Sequence, residues 1–122
     1  MKKEKPAAHR KVGIMADSHG QAETIVAAIA FLSAMDCRPM YHLGDICDSL
    51  HPETTEACLL PLRESMVTAI KGNNDHAIVA NQVGMEQESV PKKALAFLSN
   101  LPLMAQYKNA MFTHSLPFER EL

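Results

Sequence analysis

The chain has 122 residues, a length that corresponds to one compact domain. Hydrophobic residues make up 47% of it and charged residues 21%, which is typical of folded globular proteins and excludes a disordered chain. The formal net charge of −2 provides no basic field that would favour nucleic acid or an anionic membrane surface. The longest uncharged apolar stretch, Ile25 to Leu32, is too short to cross a bilayer.

The N-terminus and the cysteines indicate a cytoplasmic protein with no membrane segment. Residues 1–10 start with positive charges but have no apolar core behind them, so we expect a flexible lead-in rather than a secretory signal. Cys37, Cys47 and Cys58 are odd in number and lack C-x-x-C spacing, which argues against a disulfide framework and a zinc ribbon. A single domain over residues 11–122 follows as the expected organisation.

The first half of this domain alternates between apolar runs and helical patterns. Val12 to Ala16 predicts a buried strand that stops at Asp17-Ser-His-Gly20. Apolar residues at helical spacing then predict a helix over residues 21–34. A second strand is predicted over residues 38–43, and it ends at Gly44-Asp45.

The second half continues this alternation. Four elements are predicted there: a short helix over residues 53–64 broken by Pro61, a strand over 65–70, a helix over 91–100 with Pro91 in its first turn, and a strand over 110–113. The first of these strands runs into Gly72-Asn-Asn-Asp75, and the second ends at His114. Alternating strands and helices predict an α/β fold with a parallel sheet.

Residues capable of binding metal follow each of the four predicted strands, where ligands bind in parallel sheets. In Asp17-Ser-His19, residues i and i+2 of an extended segment project to the same side and could hold one ion. Gly44-Asp-Ile-Cys-Asp48 supplies a second carboxylate. Taken singly, each pattern is common in ordinary turns, and His114 alone fits a partly buried structural histidine.

The joint order D-x-H, G-D-x-x-D, G-N-x-D and strand-terminal T-H resembles the calcineurin-like metallophosphoesterase family over residues 12–117. The resemblance is to its small bacterial-type phosphodiesterase branch. It implies a metallophosphoesterase sandwich, a parallel or mixed sheet with flanking helices, whose second half would be incomplete here. It also implies hydrolysis of phosphoesters by a metal-activated water at a dinuclear site.

The same resemblance assigns ligands residue by residue. It implies Asp17 and His19 on the first ion, Asp45 as the bridging carboxylate, and Asn73 and His114 on the second ion, with Asp48 and Asp75 orienting loop groups. Two divalent ions would offset the repulsion between converging carboxylates. Mixed oxygen and imidazole ligands favour Mn, with Fe, Zn, Ni or Co as alternatives. Cys47 lies inside the second motif, but it is expected to face the core beside Ile46 rather than to bind metal.

The sequence departs from the family at three places. Asn74 stands where many members have a histidine, and Asn74, Asp75 and His76 are the candidate catalytic residues, with His76 as a substitute proton carrier. Ser115 replaces a glycine after His114, and the final G-H-x-H motif is absent. These departures indicate a truncated chain, a site completed by a partner subunit, or a decayed site, and truncation is the favoured interpretation. Truncation predicts weak metal affinity, exposed apolar surface and self-association.

Three functional interpretations remain open from the sequence. The first is a metal-dependent phosphodiesterase or phosphatase, the diesterase being favoured, that acts on a small phosphoester. The second is a binding scaffold that keeps the phosphoesterase fold with little activity, and the third is an α/β domain whose polar strand ends are only turns. Nucleic acid stays open as a substrate, although four Phe, two Tyr and no Trp offer few stacking surfaces.

Overall fold

The computed structural model describes residues 11–82 and 89–115, and the predicted lead-in over residues 1–10 lies outside them. The described residues form five strands, four α-helices and a short 3₁₀ helix, Pro52–Thr54. In chain order the main elements are β1 (Lys11–Met15), α1 (Ala22–Ala34), β2 (Cys37–His42), α2 (Thr55–Glu64), β3 (Thr68–Ala69), α3 (Asn73–Gln82), α4 (Lys92–Ser99), β4 (Met104–Tyr107) and β5 (Ala110–Thr113).

The first three strands form a parallel sheet in the order β1-β2-β3, as the alternation of strands and helices predicts. Met15 pairs with His42 in β2, and His42 pairs with Ala69 in β3. Helices α1 and α2 make the two crossovers and pack against each other. Because the strands are parallel, the loops that follow β1, β2 and β3 all leave from one edge of the sheet.

The hydrophobic core lies between this sheet and the helices. Its buried members come from all four helices and the segments between them, and they include Ile25, Ile29, Ile46, Cys47, Cys58, Leu59, Leu62, Ile78, Ala94 and Leu98. Met40 packs against this core, whereas the next side chain along β2, Tyr41, faces the aromatic residues of the hairpin β4-β5. This change of side along β2 follows from the two-residue period of a strand.

The strand predicted over residues 110–113 is confirmed, but it does not join the parallel sheet. β5 pairs with β4 in a separate antiparallel two-stranded sheet, with Tyr107 opposite Ala110 across the turn. The Tyr41 ring contacts Phe112, with ring centroids 4.8 Å apart, and Tyr107 at 6.4 Å. These aromatic contacts hold the hairpin beside β2 and bring the end of β5 to the loops of the parallel sheet.

Two further boundaries differ from the predictions. α2 runs without a break through Pro61, because the burial of Leu59 and Leu62 outweighs the one backbone hydrogen bond that proline removes. The strand predicted over residues 65–70 is reduced to Thr68–Ala69, since its first residues cap and follow α2.

Part of the apolar surface is exposed. β1 pairs only with β2 among the described residues, and Ile14 in this edge strand is 46% exposed. None of the helices in residues 11–82 and 89–115 is long and apolar enough to span a membrane. Self-association through exposed apolar residues stays a prediction.

Candidate metal centre

The loops after β1 and β2 run side by side and hydrogen-bond to each other. The N–H of Asp17 donates to the carbonyl of Gly44 at 3.0 Å, and the N–H of His19 donates to the carbonyl of Asp45 at 3.0 Å. The pairing of the parallel strands therefore continues past their ends. As a result, the D-x-H segment and the G-D segment lie next to each other.

Asp17, His19 and Asp45 all have left-handed backbone conformations, with φ of 58°, 45° and 56°. This region is costly for residues with a side chain and persists only where the surrounding structure enforces it. Within residues 11–82 and 89–115, three other non-glycine residues with positive φ lie after helix ends or in the hairpin turn, where the conformation is ordinary: Asp36, Met66 and Lys108. The strain in the two loops therefore falls on three of the predicted metal ligands.

The carboxylate of Asp45 lies at the centre of the site, and its side chain is only 7% exposed. Its Oδ1 accepts the backbone N–H of Asn74 at 2.9 Å and lies 3.6 Å from Nε2 of His114. Its Oδ2 accepts the side-chain amide of Asn74 at 3.0 Å and lies 3.6 Å from Nε2 of His19. The two oxygens of Asp45 thus face two different groups of possible metal ligands.

The first group contains Asp17, His19 and Oδ2 of Asp45. Nε2 of His19 lies 3.7 Å from Oδ1 of Asp17, too long for a hydrogen bond. Two atoms that bind one ion at about 2.1 Å lie roughly 3.0–3.6 Å apart, close to this spacing. The side chains of His19 and Asp17 are 46% and 59% exposed, so this group is open to solvent.

The second group contains Asn73, His114 and Oδ1 of Asp45. Nδ1 of His114 lies 2.9 Å from the carbonyl oxygen of Leu43, an acceptor, so Nδ1 carries the proton and Nε2 has the free lone pair. Nε2 in turn lies 3.1 Å from the amide oxygen of Asn73. In this arrangement two acceptors face each other, and a cation between them would satisfy both.

The residues of the two groups are chemically suited to bind a divalent metal. Donor atoms of Asp17, Asp45 and His114 lie within 4.8 Å of one another. The set is made of oxygen and imidazole nitrogen, which first-row divalent metals accept. Cys47 is fully buried beside Ile46, as predicted, and burial raises the pKa of its thiol above the usual range. No thiolate therefore competes from that loop.

Asp75 lies under the site rather than in it. Its fully buried carboxylate accepts the backbone N–H groups of Gly72 at 2.9 Å, Cys47 at 3.0 Å and Ile46 at 3.3 Å. Burial raises the pKa of Asp75, and the three N–H donors act in the opposite direction by favouring the carboxylate. Asp75 thereby joins the loop after β2 to the loop after β3.

The other residues predicted for the site are placed as follows. Asp48 accepts the N–H of Leu50 at 2.9 Å within its own loop. The amide oxygen of Asn74 accepts the backbone N–H of Ser49 at 3.0 Å and its hydroxyl at 2.9 Å. His76 is exposed on α3, and its ring makes no hydrogen bond or ion pair with the described residues. Catalytic roles for Asn74, Asp75 and His76 stay predictions.

A buried contact missed by the sequence analysis joins His42 to Ser18. Nδ1 of His42 accepts the N–H of Gly44 at 3.1 Å, and Nε2 lies 2.9 Å from the hydroxyl of Ser18. Burial lowers the pKa of His42 to about 4, so the ring is neutral at pH 7. The sequence signal that could have revealed this contact was His42 itself, a polar residue near the end of a predicted buried strand.

Two glycines leave room for the ligands. A Cβ on Gly44, whose φ is 102°, would lie 2.7 Å from Nδ1 of His114. A Cβ on Gly72 would collide with the backbone N–H and carboxylate of Asp45. Both glycines belong to the motifs that the sequence analysis singles out, and close backbone approach explains them.

Comparisons with known proteins identify the family and the fold of the chain. The family model of the calcineurin-like phosphoesterase superfamily domain matches residues 11–120. The solved structure of a metallophosphoesterase from Sphaerobacter thermophilus is similar to the chain, with a TM-score of 0.58 and 21% sequence identity. The match covers 80% of this chain and 44% of that structure. No curated protein matches the chain.

The family match covers all of the described residues, including the position of every predicted metal ligand. The structural match extends the same assignment to the fold, a parallel sheet with flanking helices. The chain therefore belongs to the calcineurin-like phosphoesterase superfamily.

Proposed function

We propose that this chain binds two divalent metal ions and hydrolyses phosphodiesters, with Mn²⁺ as the metal. The observation that carries the proposal is the divergence of the two Asp45 oxygens. Oδ2 lies 3.6 Å from His19 and Oδ1 lies 3.6 Å from His114. A carboxylate between two separate groups of nitrogen and oxygen donors is suited to bridge two ions.

The ligand assignment follows these two groups. Asp17, His19 and Asp45 would hold one ion, and Asp45, Asn73 and His114 would hold the other. Divalent ions there would activate a water molecule and neutralise charge on the phosphoryl group. The exposed fractions of Asp17 and His19, 59% and 46%, support access for a small substrate from this side.

The chain's own residues hold this arrangement in place before any ion binds. Asn74 donates to both oxygens of Asp45, so the carboxylate keeps one orientation. Leu43 accepts from Nδ1 of His114 and thereby directs Nε2 towards the site. Asn73 adds an amide oxygen and no charge, which limits repulsion among the donors.

Charge favours a diester over a monoester. The donors contribute carboxylates and neutral groups, while the nearby cation Lys71 binds the carbonyl of Ser99, away from the site. Arg38 and Arg63 pair with Asp36 and Glu56. The two ions would supply the positive charge of the loaded site, and Lys71, Arg38 and Arg63 add none to it. A phosphodiester carries one negative charge where a monoester dianion carries two, so it needs less positive charge from the site.

The test is hydrolysis of bis-p-nitrophenyl phosphate and p-nitrophenyl phosphate by the purified chain, with Mn²⁺ and with EDTA. We expect Mn²⁺-dependent cleavage, faster for the diester, that falls roughly a hundredfold or more in Asp45→Asn. Asp36→Asn is the matched control. It is the same substitution at a residue with a similar backbone conformation, φ of 62°, outside the site. Its activity should equal that of the wild type.

Other outcomes would separate the alternatives. Mn²⁺ binding without cleavage of either ester would favour a scaffold that keeps the site but lacks turnover. Cleavage that survives both EDTA and Asp45→Asn would contradict the proposal. Faster cleavage of the monoester would retain the metal site but overturn the preference for diesters.

A further inference from the structure

A buried relay of hydrogen bonds lies behind the two ligand loops. The N–H of Gly44 donates to Nδ1 of His42 at 3.1 Å, and Nε2 of His42 lies 2.9 Å from the hydroxyl oxygen of Ser18. The Ser18 hydroxyl donates to the carbonyl of Ile46 at 3.0 Å. His42 is fully buried and Ser18 nearly so. We refer to these contacts as the Ser18–His42 relay.

The direction of each hydrogen bond in the relay is fixed by its neighbour. A backbone N–H can only donate, so Nδ1 of His42 is the acceptor and the proton of the neutral ring lies on Nε2. Nε2 therefore donates to Ser18, whose own proton goes to the carbonyl of Ile46. Each polar group in the relay has a partner, and no alternative orientation satisfies all of them.

The relay contacts the residues that flank the metal ligands rather than the ligands themselves. Ser18 lies between Asp17 and His19, and its side chain points into the protein. Gly44 and Ile46 are the residues on either side of Asp45. Both ends of the relay thus lie in the loop after β2, and its middle residue, Ser18, joins the loop after β1 to them from behind.

Backbone strain explains why the loops need this support. Asp17, His19 and Asp45 have φ of 58°, 45° and 56°, and each would relax if its loop were free. The inter-loop backbone hydrogen bonds align the loops with each other. The relay adds an anchor to β2, because His42 is the last residue of that strand.

We propose that His42 and Ser18 are positioning residues of the metal centre, which hold the Asp17, His19 and Asp45 loops in the geometry that binds the ions. This inference rests on the proposed function, since it assumes that those residues bind metal. It adds two residues that touch neither ion nor substrate and act through the loops.

Two substitutions interrupt the relay at different points. Ser18→Ala removes the hydroxyl and leaves the contact between His42 and Gly44 intact. His42→Asn keeps an acceptor for the Gly44 N–H, because the amide oxygen reaches about as far as Nδ1, but it loses the donor to Ser18. Ile29→Val is the control for stability alone, since Ile29 is a core residue of α1 outside the relay.

The experiment is titration of the purified chain with Mn²⁺, in which free Mn²⁺ is measured by electron paramagnetic resonance. Ser18→Ala and His42→Asn should each weaken Mn²⁺ binding by about 10- to 100-fold. The double variant should lose little more than either single variant, because both break the same relay. Ile29→Val should lower the thermal unfolding midpoint without changing Mn²⁺ affinity.

The possible results distinguish this inference from the proposed function. Wild-type affinity for Mn²⁺ in Ser18→Ala and His42→Asn would overturn the inference alone. Losses that multiply in the double variant would also overturn it, because the two residues would then act independently. A wild-type chain that binds no Mn²⁺ would overturn the proposed function, and the inference with it.

Discussion

Asn74 holds the carboxylate of Asp45 with two hydrogen bonds, one from its backbone N–H at 2.9 Å and one from its side-chain amide at 3.0 Å. Ser49 fixes Asn74 in turn by donating twice to its amide oxygen. This residue stands where the sequence analysis notes a missing histidine. In the structure its side chain orients the central carboxylate, a role that requires no proton transfer.

Replacing Asn74 should therefore weaken metal binding. Asn74→Ala removes the side-chain donor to Asp45 and leaves the backbone donor, so the carboxylate gains freedom. We expect Mn²⁺ affinity to fall about tenfold, the usual effect of losing a residue that orients a ligand. Calorimetric titration measures this, with Asn100→Ala, an exposed change at the end of α4, as the control. Unchanged affinity in Asn74→Ala would show that Asp45 is oriented by other contacts.

Asp75 should contribute mainly to stability. Its buried carboxylate accepts three backbone N–H groups, and Asn in its place would turn an N–H₂ group towards at least one of them. We expect Asp75→Asn to lower the free energy of unfolding by about 2–4 kcal/mol. Urea denaturation measures the change. Asp48→Asn, which affects one exposed hydrogen bond, should cost less than about 1 kcal/mol.

The protein should become less stable as the pH decreases, because His42 is buried as a neutral ring. Burial lowers the pKa of His42 to about 4 from its ordinary value of 6.5, so the unfolded chain takes up this proton first as the pH falls. The free energy of unfolding should therefore be highest above pH 6.5 and decrease towards pH 4, by at most about 1.4 kcal/mol per pH unit.

The comparison that isolates this effect is wild type against His42→Asn, both in EDTA so that metal release does not contribute. Other groups titrate equally in both proteins, so the difference between their pH profiles reports His42. The wild type should lose stability more steeply between pH 6.5 and 4. Parallel profiles would contradict the lowered pKa.

Gly44→Ala should affect the two ions unequally. The added Cβ would lie 2.7 Å from Nδ1 of His114 and push that ring out of line, and φ of 102° adds strain to any side chain there. The three atoms nearest to this Cβ belong to His114 and Gly72, on the side of the second ion. We expect the number of Mn²⁺ ions bound per chain to fall from two to one, which equilibrium dialysis with metal analysis measures. Retention of both ions would contradict the assignment of His114 to a separate ion.

The sequence predicts the parallel part of the fold well, because its signals are local. β1, α1 and β2 follow directly from apolar runs and a helical period, and each begins within one residue of its predicted start. The hairpin of β4 and β5 was missed, since the residues of β4 show no clear alternation and the aromatic contacts with Tyr41 join positions far apart in the chain. Such long-range contacts leave little trace in a local pattern.

The same distinction applies to the site. The order of four weak motifs predicts that Asp17, Asp45 and His114 come together, and their donor atoms lie within 4.8 Å of one another. The contact between His42 and Ser18 was not predicted, because each residue alone has no motif and their distance depends on the pairing of β1 with β2. Helix α3 was also missed, since its first residues read as a turn.

The electron paramagnetic resonance spectrum of the Mn²⁺-loaded chain shows whether Asp45 bridges two ions. Two Mn²⁺ ions that share a carboxylate about 3.5–4 Å apart interact magnetically and give a broad, exchange-coupled spectrum. We expect this spectrum from the wild type and from Asp36→Asn, and its loss in Asp45→Asn. A spectrum of isolated Mn²⁺ in the fully loaded wild type would contradict a bridging Asp45.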